Sequence, residues 1–181
     1  MEKILFSLGY KVADTDKINH LILASDINAI SEIKNAFLAD DILDVNNCIS
    51  REKLGKVIFS DNKKKQLLES ILHTRINEKV VQFFDENRSE KIVFVAIPLL
   101  FETNQQTNFD KIIFISADED IRLKRLIERN HYTKEYALTR IQSQMPENEK
   151  IKKSDFVIYN NSDLISLKKQ VSDVLEHLIS H

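Results

Sequence analysis

Three stretches of the chain are continuously apolar: Ile92–Ile97 (IVFVAI), Ile112–Ile115 (IIFI) and Phe156–Tyr159 (FVIY). None alternates polar with apolar residues, which predicts strands covered on both faces, as in a parallel sheet. A fourth, shorter strand is expected at Lys11–Ala13, closed by an Asp14-Thr15-Asp16 turn. Between the strands the apolar spacing lengthens. Leu68, Leu72, Ile76, Val80 and Phe84 recur every four residues, predicting a long helix or a broken pair across Asp61–Asn87. Leu164, Leu167, Val171, Leu175 and Leu178 predict another near the C-terminus. The stretch Asp118–Asn130 opens with Asp118, Glu119 and Asp120 and then turns basic, an order that complements a helix dipole.

Strands separated by helices predict an α/β fold with an open, mainly parallel sheet flanked by helices. With 181 residues, uniform composition, no internal repeat and no Pro/Gly-rich linker, the expectation is a single domain. Hydrophobic residues make up 43% and charged residues 30%, which excludes an intrinsically disordered chain. A net charge of −2 offers no global field for nucleic acid or for an anionic membrane. The longest apolar run, Ile92 to Phe101, contains Pro98 and falls short of the roughly 20 residues of a spanning helix. Cys48 stands alone, so no internal disulfide forms, and the expected setting is reduced and cytoplasmic.

Glycine is more informative. Only Gly9 and Gly55 occur, against an average usage of roughly 7%. Five residues after them stand Asp14 and Ser60, so the chain carries no G-x-x-x-x-G-K-[ST] phosphate loop and no G-x-G-x-x-G turn.

Three groups of residues could carry chemistry. Asp14 and Asp16 sit where the first strand gives way to a helical pattern, and ligands of open α/β sheets bind beyond the carboxyl ends of strands. A carboxylate there can take a proton from a hydroxyl or help hold magnesium, although an N-cap role for Asp16 explains the residue type as well. Arg122, Arg125 and Arg129 share one helical face, and Arg140 can join them across a turn around Asn130–Thr133. Three guanidiniums suit phosphates, and a solvated face paired with Glu119 and Glu128 is the plainer explanation. Ile97-Pro98-Leu99-Leu100-Phe101-Glu102 leaves apolar side chains just past a strand end, fit for an apolar ligand segment or for loop packing. His73 in mid-helix reads as structural. His177 and His181 have no third metal ligand and read as a frayed tail, and Lys63–Lys65 and Lys150–Lys153 read as solvated surface.

In their order along the chain, these segments resemble the dephospho-coenzyme A kinase family. The matching blocks are Ser7-Leu8-Gly9 with Val12-Ala13-Asp14-Thr15-Asp16; Arg51-x-x-Leu54-x-x-x-Ile58-Phe59; Leu72-His73; and Ile97-Pro98-Leu99-Leu100-Phe101-Glu102. They continue through Arg122-Leu123-Lys124-Arg125, Arg129-Asn130, Arg140-Ile141-x-Ser143-Gln144 and Ser154-Asp155-Phe156-Val157-Ile158-x-Asn160-Asn161.

The resemblance implies a phosphate-loop kinase fold, related to the nucleoside monophosphate kinases, with a helical acceptor-side insertion at about 27–88 and a lid at about 122–150. It implies transfer of the ATP γ-phosphate to the ribose 3′-hydroxyl of dephospho-CoA, with magnesium, in the last step of coenzyme A synthesis. By the same resemblance Asp16 is the catalytic carboxylate and Arg125 stabilises the transferring phosphoryl group. Arg129, Arg140 and Asn160 serve the ATP side, and Asp14, His73, Pro98 and Leu99 the acceptor side.

Thr74 stands where the family usually has proline, and Ser162 where it commonly has glycine. In the family a strand and a phosphate loop precede the helix that runs into Ser7-Leu8-Gly9. The expectation is therefore a truncated kinase, inactive as it stands. The competing reading is a catalytically dead, kinase-like module that binds coenzyme A or a protein partner. A nucleic-acid-binding domain is disfavoured by the charge and by the lack of aromatics beside the lysines.

Overall fold

The computed structural model describes residues 1–180. Packing divides the chain into two compact units, Gly9–Pro98 and a second made of Met1–Leu8 with Leu99 onward.

The Gly9–Pro98 unit contains β1 (Lys11–Asp14), α2 (Thr15–Ser25), α3 (Ile27–Ala36), α4 (Arg51–Ser60), α5 (Asn62–Glu86) and β2 (Val93–Ala96). β1 and β2 run parallel, from Lys11 opposite Val93 to Asp14 opposite Ala96, and four helices form the crossover that a parallel pair requires. Gly9 enters β1 with φ +88, a left-handed conformation that suits glycine. Asp26, Ser50 and Asp61 each cap the helix that follows, accepting from backbone amides. α5 is one unbroken helix, with no proline or glycine inside it. Its Leu68, Ile71 and Leu72 close a core with Ile22, Ala29, Ile33, Phe37, Ile42 and Leu54. Phe37 is fully buried there, and truncating it to alanine should cost about 3–5 kcal/mol.

The other unit contains α1 (Glu2–Ser7), β3 (Ile113–Ser116), α6 (Glu119–Asn130), α7 (Lys134–Gln142), α8 (Glu147–Lys152), β4 (Phe156–Tyr159) and α9 (Leu164–Ser180). β3 and β4 are parallel, from Ile113 opposite Phe156 to Ser116 opposite Tyr159. α9 covers β4 with Leu167, Val171 and Leu175, all buried and spaced by four. Asp155 leads into β4 and accepts from the Ile112 amide at 2.9 Å and Lys111 Nζ at 3.1 Å. The Ile112 amide, opposed by slight burial and aided by Lys111, holds this carboxyl below its ordinary range. At the far end of β4, the Gln170 side chain accepts from the Tyr159 N–H and donates to the Tyr159 carbonyl, both at 2.9 Å. α6 ends at His131, whose φ of +55 supplies the left-handed C-cap more often given by glycine.

The four apolar runs are all strands, and the parallel direction follows the expectation. They pair as two separate two-stranded ladders. In a two-stranded ladder every strand is an edge, and these strands are mostly half-buried rather than fully covered.

Candidate functional site

At the carboxyl end of β1 two aspartates divide the work. Asp14 is the N-cap of α2: its Oδ1 accepts from the amides of Asp16 at 2.9 Å and Lys17 at 3.2 Å. Its other oxygen lies 3.5 Å from Lys17 Nζ. The Thr15 hydroxyl donates to the Ala96 carbonyl at 3.1 Å, tying the start of α2 to the end of β2. Asp16 therefore does not cap the helix. It occupies the first turn, exposed, with no partner for its carboxylate among the described residues. A carboxylate held on a rigid helix start and left open can accept a proton or a hard cation.

The other acceptor-side candidates are surface groups. His73 lies exposed on α5, where its Nδ1 is 3.3 Å from Asn77 Nδ2 one turn on. With Asn77, Glu78 and Val81 it lines a shallow groove along one face of that helix. Pro98 is exposed. Leu99, 41% exposed, opens a tight turn in which its carbonyl accepts from the Thr103 amide, while Phe101 turns inward.

In the other unit the arginine face is divided. Arg122 pairs with Glu147 at 2.8 Å, not with Glu119 or Glu128. Arg125 donates from Nη1 to the Asn160 carbonyl at 2.7 Å, so two candidate residues 35 positions apart meet just beyond β4. Only that one of its five N–H donors has a partner among the described residues. Arg129 donates to the Asn130 side chain at 2.9 Å, and Arg140, exposed in the last turn of α7, has no partner among the described residues. A face paired with acids would be spent on them. Here Arg125, Arg129 and Arg140 keep their charge open, as phosphate oxygens require.

The Asn160-Asn161 turn is itself held. The Asn160 amide donates to the Ser116 carbonyl at 2.8 Å. The Asn161 side chain accepts from the Asp118 amide and donates to the Asp118 carboxylate, at 2.8 and 2.7 Å. The carboxyl ends of β3 and β4 and the start of α6 thus form one hydrogen-bonded corner, with the Asn160 side chain half-buried beside it.

Two residues without an assigned role turn out to matter. Lys150 is 5% exposed, so its run is not solvated surface at that position. It donates to Glu102 at 2.8 Å and to Gln144 at 3.2 Å, while the Met145 amide donates to the same Glu102 oxygen at 2.8 Å. Burial alone would raise the Glu102 carboxyl, but Lys150 and the Met145 amide outweigh it and hold it below the ordinary range. The loop after β2 is thereby fastened to the chain between α7 and α8. Glu147 is the second such residue, since it also accepts from the Ser116 hydroxyl.

No three His, Cys, Asp or Glu residues converge among the described residues. The open Asp16 carboxylate is the right donor for a hard divalent cation bound mainly by a nucleotide's own phosphates. His177 packs edge-on against Phe156 at 5.4 Å, a structural use, and His181 lies outside the described residues. No helix among the described residues is long and apolar enough to cross a membrane.

A family model described as dephospho-CoA kinase matches residues 1–166. A dephospho-CoA kinase of Listeria innocua is 37% identical over all of this chain and 91% of its own length. One of Fusobacterium nucleatum is 35% identical over 97% of this chain and 90% of its own. Among solved structures, a Thermus thermophilus protein, TT1252, superposes with a TM-score of 0.82 at 28% identity, covering 98% of this chain and 89% of its own. The dephospho-CoA kinase of Campylobacter jejuni gives 0.68 at 30% identity, covering 97% and 88%.

Proposed function

Because the chain belongs to the dephospho-CoA kinase family, we propose that it moves the γ-phosphoryl group of ATP to the ribose 3′-hydroxyl of dephospho-CoA. The observation that carries this reading is the match to these kinases along nearly the whole chain. It supports an enzyme over a catalytically dead binding module.

In the proposed step Asp16 accepts the proton of the 3′-hydroxyl as that oxygen attacks the γ-phosphorus. The new O–P bond forms, the bond to the β–γ bridging oxygen breaks, and ADP leaves. Support for this role is that Asp14 performs the capping, which leaves Asp16 unengaged. Asp14 Oδ2, which faces Lys17 Nζ at 3.5 Å, accepts in addition from a substrate hydroxyl, with His73, Pro98 and Leu99 on the acceptor side. Arg125 meets the equatorial oxygens of the moving phosphoryl group with its free N–H groups, where charge is spread in the transition state. Arg129 and Arg140 bind the remaining phosphates, and the Asn160 side chain adjoins the adenine base. When bound, magnesium on the triphosphate supplies charge neutralisation, with Asp16 as the protein oxygen open to it.

The test uses protein expressed from its complete reading frame, with MgATP and dephospho-CoA. Expected is ADP release matched one to one by a coenzyme A product carrying the added 3′-phosphate. Phosphorylation of adenosine or of nucleoside monophosphates, with dephospho-CoA left untouched, would overturn the substrate assignment.

A further inference from the structure

Five groups close a ring on the face of α6. The Arg122 guanidinium reaches Glu147 Oε2 at 2.8 Å, and Glu147 Oε1 accepts from the Ser116 hydroxyl. The Ser116 carbonyl accepts from the Asn160 amide at 2.8 Å, and the Asn160 carbonyl accepts from Arg125 Nη1 at 2.7 Å. Arg122 and Arg125 are three residues apart on one helix, so the ring begins and ends on that helix.

We propose that Arg122 and Glu147 are positioning residues for phosphoryl transfer, fixing the rotation of α6 so that Arg125 stays on the Asn160 carbonyl with its other N–H groups free. The inference rests on the role proposed above for Arg125. Three features favour a built device over a chance surface pair. Ser116 is 4% exposed, and the Glu147 side chain is 21% exposed with both oxygens engaged. Each of the two α6 arginines is held by a different element, Arg122 by α8 and Arg125 by the end of β4. A helix pinned through two adjacent turns cannot roll about its axis without breaking one contact. Freed of Arg122, α6 keeps the Asp118–Asn161 bonds at its start and its packing against α7. Of its two arginine contacts, however, only that of Arg125 is left, in which a long exposed side chain bears the ordering cost.

The test is a mutant cycle in protein from the complete reading frame, with steady-state kinetics and thermal unfolding on every variant. Arg122→Ala and Glu147→Ala are each expected to lower kcat roughly 10- to 100-fold, with KM for dephospho-CoA within about twofold of wild type. Glu147→Gln can turn its one amide oxygen to Arg122 and its NH2 to the Ser116 hydroxyl, which can accept as well as donate, and should recover most of the loss. Arg122→Ala combined with Arg125→Ala should be no slower than Arg125→Ala alone, because the first acts through the second. A merely structural role would lower the melting temperature and multiply with Arg125→Ala. That result, or an unchanged kcat in both single variants, overturns the inference. Should Glu147→Ala fail to fold, Arg122→Gln opens the same ring with polar groups on both sides and carries the same expectation. If Arg125→Ala itself leaves kcat unchanged, the catalytic reading of Arg125 fails instead.

Discussion

Asp14 and Asp16 are two residues apart, and their exchange for uncharged side chains should give opposite results. Asp14 Oδ1 accepts two amides at the start of α2, so Asp14→Ala leaves both without their acceptor. Loss of an N-cap costs about 1 kcal/mol, and the Thr15–Ala96 bond stays to hold the helix start in place. For a chain of this size that is a fall in Tm of about 2–4 °C. Asp16 makes no cap bond, and its exposed charge contributes a few tenths of a kcal/mol through the helix dipole. Asp16→Asn should therefore shift Tm by about 1 °C while lowering kcat by about 10²–10⁴ as the proton acceptor is lost. That loss equals about 3–5 kcal/mol of barrier, an order of magnitude above the stability effect. Asp14→Asn, which retains a capping oxygen, should melt close to wild type. The assays are circular-dichroism melts and coupled ADP release on the same preparations. If Asp16→Asn melts as low as Asp14→Ala and keeps turnover within severalfold, the division of labour argued here is wrong.

Arg125→Lys should lose nearly as much turnover as Arg125→Ala, because an ammonium cannot hold the Asn160 carbonyl and two phosphoryl oxygens with a planar fork; recovery to wild-type kcat would refute the contact. Glu102→Gln should lower stability at neutral pH by about 1–3 kcal/mol, since Lys150 loses its counter-charge in a buried place. The Glu102 pKa is depressed in the fold, so its contribution is complete above the ordinary glutamate range and lost as pH falls through the depressed value. Urea melts across pH should show the gap to wild type closing on acidification, and a constant gap would contradict the ion pair.

The strands were legible because four short apolar runs stand between helical patterns, and α5 because its apolar period is unbroken. The assignment of the cap was not legible. Asp14 and Asp16 are chemically alike, and the choice between them depends on where pairing with β2 stops, at Asp14 opposite Ala96. The Arg125–Asn160 contact joins two blocks that sequence could name but not bring together, since 35 residues separate them. Lys150 misled for a related reason. Locally it is one lysine of a polar run, and its burial is decided by Glu102, 48 positions earlier. The helical spacing of Arg122 and Arg125 was visible at once, whereas the partner of Arg122 depended on how α8 packs against β3.

The Gln170 amide at Tyr159 has a consequence for how this protein behaves among its own copies. Phe156, Ile158 and Asn160 lie on the β3 side of the chain, so Val157 and Tyr159 turn their N–H and C=O groups the other way. Those groups are what an intruding strand would grip. Gln170 already occupies both groups of Tyr159, mimicking a one-residue strand supplied by α9. Within β4 that leaves the groups of Val157 alone, too few to template a ladder. A glutamine on a helix thus shields this margin from self-association in crowded surroundings, and it does so with no charge and no proline.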